Sequence, residues 1–218
     1  MKNVITISRQ HGSGGRTIGI KLAEKLGYKM YDKEIVSKIA ENLNIDENAA
    51  DAKSQNLEKS ISAHMGGFIP FAGFSRSNTS SIEKVYKEQK EVIRKIAEEG
   101  NCVIIGRNSD AILEDYPNAL RIYIRSTMDY RINRMYELGL SQNEFTDKEI
   151  ENKELTLRSI EESLKNSDTS RAAHYTYFTG KTWGAASNYN LVIDTSVFTD
   201  DQCIDLICKA LEMLNKEE

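Results

Sequence analysis

No stretch of this 218-residue chain strings together the roughly 20 apolar residues that a membrane-spanning helix requires. No excess of basic charge is present either. Lys and Arg number 29 against 33 Asp and Glu, and the net charge of −4 excludes a general surface for a nucleic acid polymer. Any anion site must then be a local arginine cluster. Cysteine is scarce: Cys102, Cys203 and Cys208 show no disulfide-framework spacing and lie in apolar or helical runs. They read as buried thiols of a reducing, cytoplasmic compartment. The N-terminus enters a strand pattern directly, with no signal peptide. Internal repeats and low-complexity segments are absent. What remains is 39% hydrophobic and 28% charged residues. That composition fits one soluble globular domain, or one domain carrying an insert.

The most informative stretch runs from Asn3 to Gly27. A short apolar run, Val4-Ile5-Thr6-Ile7, leads into Ser8-Arg9-Gln10-His11-Gly12-Ser13-Gly14-Gly15-Arg16-Thr17. A helical pattern follows, with Ile18, Leu22 and Leu26 on one stripe and Gly27 as its stop. Strand, glycine loop and helix together make an anion cradle, because glycines let amides converge and the helix N-terminus adds partial positive charge. The phosphate-loop pattern G-x-x-x-x-G-K-[ST] is met imperfectly. Gln10 or Arg9, depending on register, stands at the first glycine, and there is no lysine. Arg16 is the cation placed to replace it, with Thr17 behind it as a Mg²⁺ hydroxyl. An ordinary tight turn is the alternative.

Further along, Tyr28 to Tyr31 reads as a second strand, and Asp32 is placed to cap a helix opening at Lys33. Residues 62–81 form the one long irregular stretch, with Phe68, Phe71 and Phe74 among glycines and serines. It fits a lid, a binding loop or a disordered segment, and its aromatics suit either a ligand cover or a two-fold dimer contact. Ser80-Ser81-Ile82-Glu83 is a capping-box pattern opening a helix that Gly100 ends. Cys102 to Ile105, apolar throughout, suits a strand covered on both faces. It runs into Gly106-Arg107-Asn108, where Arg107 is an anion ligand by position or a surface arginine in a turn.

Leu120 to Ile124 reads as a fourth strand. A helix from Thr127, ended by Gly139, carries Arg131 and Arg134 on one face, either solvated or turned to a ligand. Thr146-Asp147-Lys148-Glu149 opens a charged helix whose sparse apolar stripe suggests a protruding arm. Asp168 and Arg171 stand three apart. The aromatic run Tyr175 to Gly184 is either a satellite core or a wall of the ligand site. Leu191-Val192-Ile193 reads as a fifth strand and Thr199 to Leu214 as a final helix. Strands alternating with helices predict an α/β fold with a five-stranded parallel sheet and helices on both faces. The glycine loop, Asp32 and Arg107 then collect at one sheet edge, suited to two phosphorylated ligands.

These residues resemble the cytidylate kinase-like branch of the P-loop nucleoside monophosphate kinases over nearly the whole chain. The resemblance is carried by ISRQHGSGGRT, Tyr31-Asp32-Lys33, Ile104 to Arg107, the RIYIRS strand with its arginine-rich helix, Asp168-x-x-Arg171 and the tail from Tyr175 to Asp194. It implies a three-layer P-loop kinase domain over 1–218, with a helical acceptor-binding insert at about 33–100 and a lid arm at about 139–175. It implies ATP and Mg²⁺ as cofactors, and phosphoryl transfer to a small nucleotide such as CMP or dCMP. His11, Gly12, Ser13, Gly14, Gly15, Arg16 and Thr17 inherit the ATP phosphates and Thr17 the metal. Asp32, Arg107, Asp168 and Arg171 inherit the acceptor. Arg16, Arg131 and Arg134 inherit the transferring phosphoryl group. The sequence departs from that pattern where G-K-G-T becomes Gly14-Gly15-Arg16-Thr17 and where Asn108 replaces the Asp after Gly-Arg.

Overall fold

The computed structural model describes residues 3–43 and 76–215. The Phe-rich stretch, with the dimer contact expected of it, and residues 44–75 of the expected insert therefore lie outside the described residues. Strand β1 (Val4–Arg9) leads through the glycine loop into helix α1 (Gly15–Leu26), then β2 (Lys29–Tyr31) and α2 (Glu34–Leu43). After the undescribed segment come α3 (Arg76–Glu99), β3 (Cys102–Ile105), the short α4 (Ser109–Ile112) and β4 (Ala119–Arg125). Helices α5 (Met128–Ser141), α6 (Asp147–Glu151) and α7 (Lys153–Thr179) follow, then β5 (Leu191–Asp194) and α8 (Asp200–Leu214).

All five strands pair in parallel, in the order β2-β3-β1-β4-β5. Side chains alternate across the sheet, and that alternation builds two cores. Ile5, Ile7, Val103, Ile105 and Ile122 face one way, against Ile18 and Leu22 of α1 and Ile204, Ile207 and Leu211 of α8. Val4, Cys102 and Ile104 face the other, against Ile35 and Ile39 of α2 and Val92, Ile93 and Ile96 of α3. The expected three-layer α/β arrangement is thus present, and it brings the C-terminal ends of β1, β2 and β3 together at one edge. Cys102 and Cys203 are buried free thiols. No helix among the described residues is long and apolar enough to cross a membrane.

Several boundaries differ from the expectation. Helix α3 already runs from Arg76, so the Ser80-Ser81-Ile82-Glu83 pattern lies inside it rather than at its start. Gly139 does not end α5: it is buried within the helix, where the Phe145 ring fills the space a Cβ would take, at 2.5 Å. Asn143, at φ 53°, makes the left-handed turn instead. The charged arm is two helices, α6 with its Thr146–Glu149 capping box and then α7. At 27 residues α7 is about 40 Å long. It carries Asp168, Arg171 and Tyr175 in one uninterrupted helix, so the second half of the expected arm is built into the body.

Helix α1 lies close on the sheet because Gly19 brings no side chain, and a Cβ there would stand 2.5 Å from Ile105 Cδ1. Gly19→Ala can be absorbed by rotation of that isoleucine. Gly19→Val cannot, and should lower stability by about 1–3 kcal/mol in urea unfolding through overpacking.

Candidate active site

The glycine loop is fixed from below. Gln10 N donates to Ile124 O at 3.0 Å, Ser13 Oγ to Gln10 O at 2.9 Å, and Thr195 Oγ1 to Ser13 O at 2.8 Å. The Gln10 side chain accepts from Ser126 N at 2.9 Å. Gly12 (φ 77°) and Gly14 (φ 82°) take left-handed conformations that glycine adopts without steric penalty. Gly14 is the N-cap of α1 and brings no side-chain cap. The amides of Gly14, Gly15, Arg16 and Thr17 therefore have no i−4 acceptor in the helix, and the helix dipole adds positive potential there. An anion can settle on these groups without displacing a protein partner.

Arg134 from α5 reaches this end of the helix. Its Nη2 donates to Thr17 Oγ1 at 3.2 Å, and its guanidinium covers Gly14, whose absent Cβ would stand 3.2 Å from Arg134 Cζ. Arg131, one turn earlier, behaves differently. It is 4% exposed, donates to His11 O at 3.1 Å and pairs with Asp168 Oδ2 at 2.5 Å. Asp168 Oδ1 accepts the His11 amide at 2.8 Å, and the His11 ring meets Ser167 Oγ at 2.9 Å. Arg131 and Asp168 thus tie the loop to α5 and α7. In this structure Arg131, expected to close over the phosphates, is engaged by Asp168 and His11 O, and Asp168, expected to hold the acceptor, also pairs with Arg171 of the cleft at 3.6 Å. For Arg131 the reason is burial, since a charge out of water takes the nearest complementary partner.

Arg16 also departs from expectation. Its side chain is 54% exposed and pairs through Nε with Asp32 Oδ2 at 2.8 Å. The place of the family lysine in G-K-G-T is Gly15, and that place is filled by another residue. A Cβ on Gly15 would meet Arg9 Cβ at 2.7 Å and Arg9 Cγ at 3.1 Å. The Arg9 side chain passes over Gly15, and its Nη1 takes the space a Cβ on Gly106 would need. Among the described residues no carboxylate lies within ion-pair distance of the Arg9 guanidinium. Burial, then Arg171, pushes its pKa down to about 10.

Beside the loop opens a cleft of about 870 Å³. Its floor is the strand ends: Ser8 and Arg9 of β1, Asp32 and Lys33 after β2, and Ile105 to Asn108 at β3. Gly106, Arg107 and Asn108 are three consecutive left-handed residues, at φ 67°, 58° and 54°. For Arg107 and Asn108 that conformation costs on the order of 1 kcal/mol each. Gln89 holds the turn by donating to Arg107 O at 2.8 Å. The far wall is one polar stripe of α7, spaced by three and four: Ser159, Glu162, Ser163, Asn166, Ser170 and Arg171, with Ser167 and His174 on the same face. Trp183 closes the end, with its ring edge-on to Tyr123 at 5.5 Å. The aromatic run is therefore both a satellite core, with Tyr86 stacked on Phe178 at 3.9 Å, and a cleft wall through Trp183.

Of the expected site residues, Arg107, Arg171 and Asp32 line this cleft, while Arg16, Arg131, Arg134 and Asp168 do not. Arg9 and His174, which do, were not singled out from the sequence as site residues. Arg9 was legible as a charged residue at the first glycine of the loop pattern. Below the floor, Asp110 is fully buried and accepts from Ser8 Oγ at 2.8 Å and Tyr175 OH at 2.7 Å, which holds Ser8 in place. Burial pushes the Asp110 carboxyl up from its usual range.

Burial, with Arg107 nearby, holds the His174 ring at a pKa of about 4. It is neutral when folded, whereas an unfolded histidine titrates near 6.5. Its contribution is complete above that value and is lost as pH falls toward 4, by on the order of 2 kcal/mol. Urea unfolding of the wild type minus that of His174→Gln, followed from pH 7 to 4.5, should trace this slope. Asp168→Ala leaves Arg131 buried without its counter-charge and should cost about 3 kcal/mol by the same measurement.

Comparison with known proteins agrees with this architecture. A cytidylate kinase of Methanospirillum hungatei is 24% identical over 215 residues, 98% of this chain and 99% of the relative. A cytidylate kinase of Thermotoga maritima is 24% identical over 181 residues, 74% and 81% of the two chains. The crystal structure of an uncharacterized protein from Eubacterium ventriosum shares the fold at a TM-score of 0.67, with 21% identity over 97% of this chain and 99% of that one. The Cytidylate kinase-like family matches residues 4–197, strand β1 through the end of the sheet, and the chain belongs to that family.

Proposed function

We propose that this protein transfers the γ-phosphoryl group of ATP to the phosphate of a nucleoside monophosphate, with CMP or dCMP the first acceptors to test. The observation that carries the reading is the cleft itself. A loop whose helix end carries no side-chain cap among the described residues adjoins a pocket whose floor gathers Arg9, Arg107 and Arg171. Four basic residues line that pocket against two carboxylates, Asp32 and Glu162, in a protein of net charge −4. Phosphoryl transfer asks for positioning and charge neutralisation more than for covalent chemistry.

In the reaction an acceptor phosphate oxygen attacks Pγ, the bond from Pγ to the β-phosphate bridging oxygen breaks, and ADP leaves. No general base is needed, because the attacking oxygen is already anionic. Gly12 to Thr17 hold the donor phosphates by their amides. Arg134 lies over the same helix end and swings onto those phosphates from Thr17. Arg107 and Arg171 hold the acceptor phosphate, and Asp32 borders it from β2. His11 and Ser13 shape the loop through their bonds to Asp168, Gln10 and Ile124.

Mg²⁺ fits this site as a ligand of the nucleotide phosphates. No cluster of three His, Cys, Asp or Glu suited to a metal occurs among the described residues. A Mg²⁺ held by phosphates and waters needs only one or two protein ligands, and the Thr17 hydroxyl in the first turn of α1 is available once Arg134 releases it. The ion would neutralise charge developing between the β- and γ-phosphates.

The α7 wall favours a second reading of the acceptor. Ser159, Ser163, Asn166 and Ser170 give hydroxyl and amide partners where a base would prefer a flat apolar surface. A phosphorylated, hydroxyl-rich metabolite fits those groups. The decisive measurement is ADP release with Mg·ATP across the common monophosphates and phosphorylated polyols. Arg107→Ala and Arg171→Ala should each raise the acceptor KM about tenfold or more, by loss of a charge-assisted bond, with less change in the KM for ATP. Protein that binds ATP and turns over no acceptor would instead be a nucleotide-binding regulator.

A further inference from the structure

We infer that Arg9 is the phosphate-binding cation of this loop, and that its presence at the first glycine position and the loss of lysine at Gly15 are one exchange rather than two defects. The inference rests on the nucleotide-binding reading above and concerns which side chain completes it.

In the register that sets G-K-G-T on Gly14 to Thr17, the first glycine of the pattern falls on position 9 and the lysine on position 15. The structure brings those two positions into contact. A Cβ at residue 15 would stand 2.7 Å from Arg9 Cβ, a distance real side chains do not tolerate. A side chain is therefore possible at 9 or at 15, not at both. The common pattern puts the cation on the helix and leaves the strand end bare. This chain puts it on the strand end and leaves the helix bare.

The second step is charge. Arg9 leaves β1 alongside the point from which a residue-15 side chain would have started, and then runs toward Gly106 into the cleft. Gly106 at φ 67° makes room, since a Cβ there would overlap Arg9 Nη1. Its neighbours across the floor are arginines: Arg171, whose Nη1 donates to the Arg9 carbonyl at 3.3 Å, and Arg107. Asp32, the carboxylate with most influence on it, is bonded to Arg16. A guanidinium in the repulsive field of Arg171 and Arg107, with no ion-pair partner among the described residues, is a group waiting for an anion. The downward shift of its pKa reports the same unmet charge. Arg16 takes no part in this. It lies outside the cleft and fixes Asp32.

The third step is position. Arg9 stands at the junction of the donor loop and the cleft that Arg107 and Arg171 share. Its planar fork can bridge two phosphate oxygens. That is the place of the group in flight between donor and acceptor.

The test uses the full chain with Mg·AMPPNP as probe, calorimetry for binding and ADP release for turnover. Arg9→Met keeps the stem and removes the charge. It should weaken Mg·AMPPNP binding about tenfold and lower turnover about a hundredfold, the scale of one lost phosphate donor. The same variant should leave the Tm of the unliganded protein unchanged or higher, because the charge it removes has no protein partner. A purely structural Arg9 would lower it. Gly15→Lys alone should fold poorly and bind nothing. Arg9→Gly with Gly15→Lys removes the colliding Cβ and Cγ and returns a cation to the helix, and it should recover binding to within about tenfold of wild type. If Arg9→Met binds the probe as tightly as wild type, or the double variant binds no better than Arg9→Gly, the exchange is wrong and the kinase reading stands. If the wild type itself does not bind the probe, both fall.

Discussion

One carboxylate holds the working end of this molecule together. Asp168, near the middle of a 40 Å helix, accepts the backbone amide of His11 on one oxygen and the guanidinium of Arg131 on the other. Arg131 in turn donates to the His11 carbonyl. The glycine loop, α5 and α7 are thus joined at a single residue of the loop. A glycine-rich loop without such anchoring would sample many conformations, and its amides would converge on an anion only at an entropic cost. A buried guanidinium is expensive to desolvate, and its pair with half-buried Asp168 returns little net stability. What it supplies is geometry. Leu164, 1% exposed on the same helix, packs beneath Gly12 and closes the loop from the apolar side.

That anchoring explains why the cations divide into separate groups. Arg131 is consumed by structure. Arg16 is consumed by Asp32. Arg134 covers the helix end, and Arg9, Arg107 and Arg171 face the cleft. In a chain with an acidic balance overall, this local excess of positive charge under low-dielectric walls concentrates anions at one edge. The left-handed run Gly106-Arg107-Asn108 stores strain at the same edge, which is where strained backbone usually coincides with function. Neutral His174 adds no charge to the pole at physiological pH. The charge that the cleft offers an anion thus lies with the arginines, and its neutral polar groups with the stripe of α7.

The sheet was legible because its strands carry their burial in composition. Val4 to Ile7, Cys102 to Ile105 and Leu120 to Ile124 are nearly unbroken apolar runs, and a strand covered on both faces requires that. The Thr146 cap read correctly, since a capping box is a local reciprocal bond. The Ser80 pattern did not, because α3 begins upstream of it. Gly139 misled for a related reason: glycine serves as a stop only when its φ is positive, and here it is a niche for Phe145. Asp168 and Arg171 were marked by spacing, yet spacing cannot say that one of the pair is bonded to an amide 157 residues away. Arg9 was visible as a charge at the first glycine of the loop pattern, but not as a site residue. Its meaning depends on a collision with Gly15 that exists only once strand and helix are folded over each other.

The location of that cation has a mechanical consequence. A lysine on the first turn of a helix swings on four flexible carbons and is placed by its ligand. An arginine at the end of the central strand, wedged between the bare faces of Gly15 and Gly106, is placed by the protein. It loses less freedom when a phosphate arrives, so more of the interaction is available to the transferring group. The cost falls on the unliganded state, which must hold a half-buried guanidinium in the field of Arg171 and Arg107. The close fit of β1, β3 and α1, with Ile7, Ile18 and Ile105 fully buried around one another, is what can bear it.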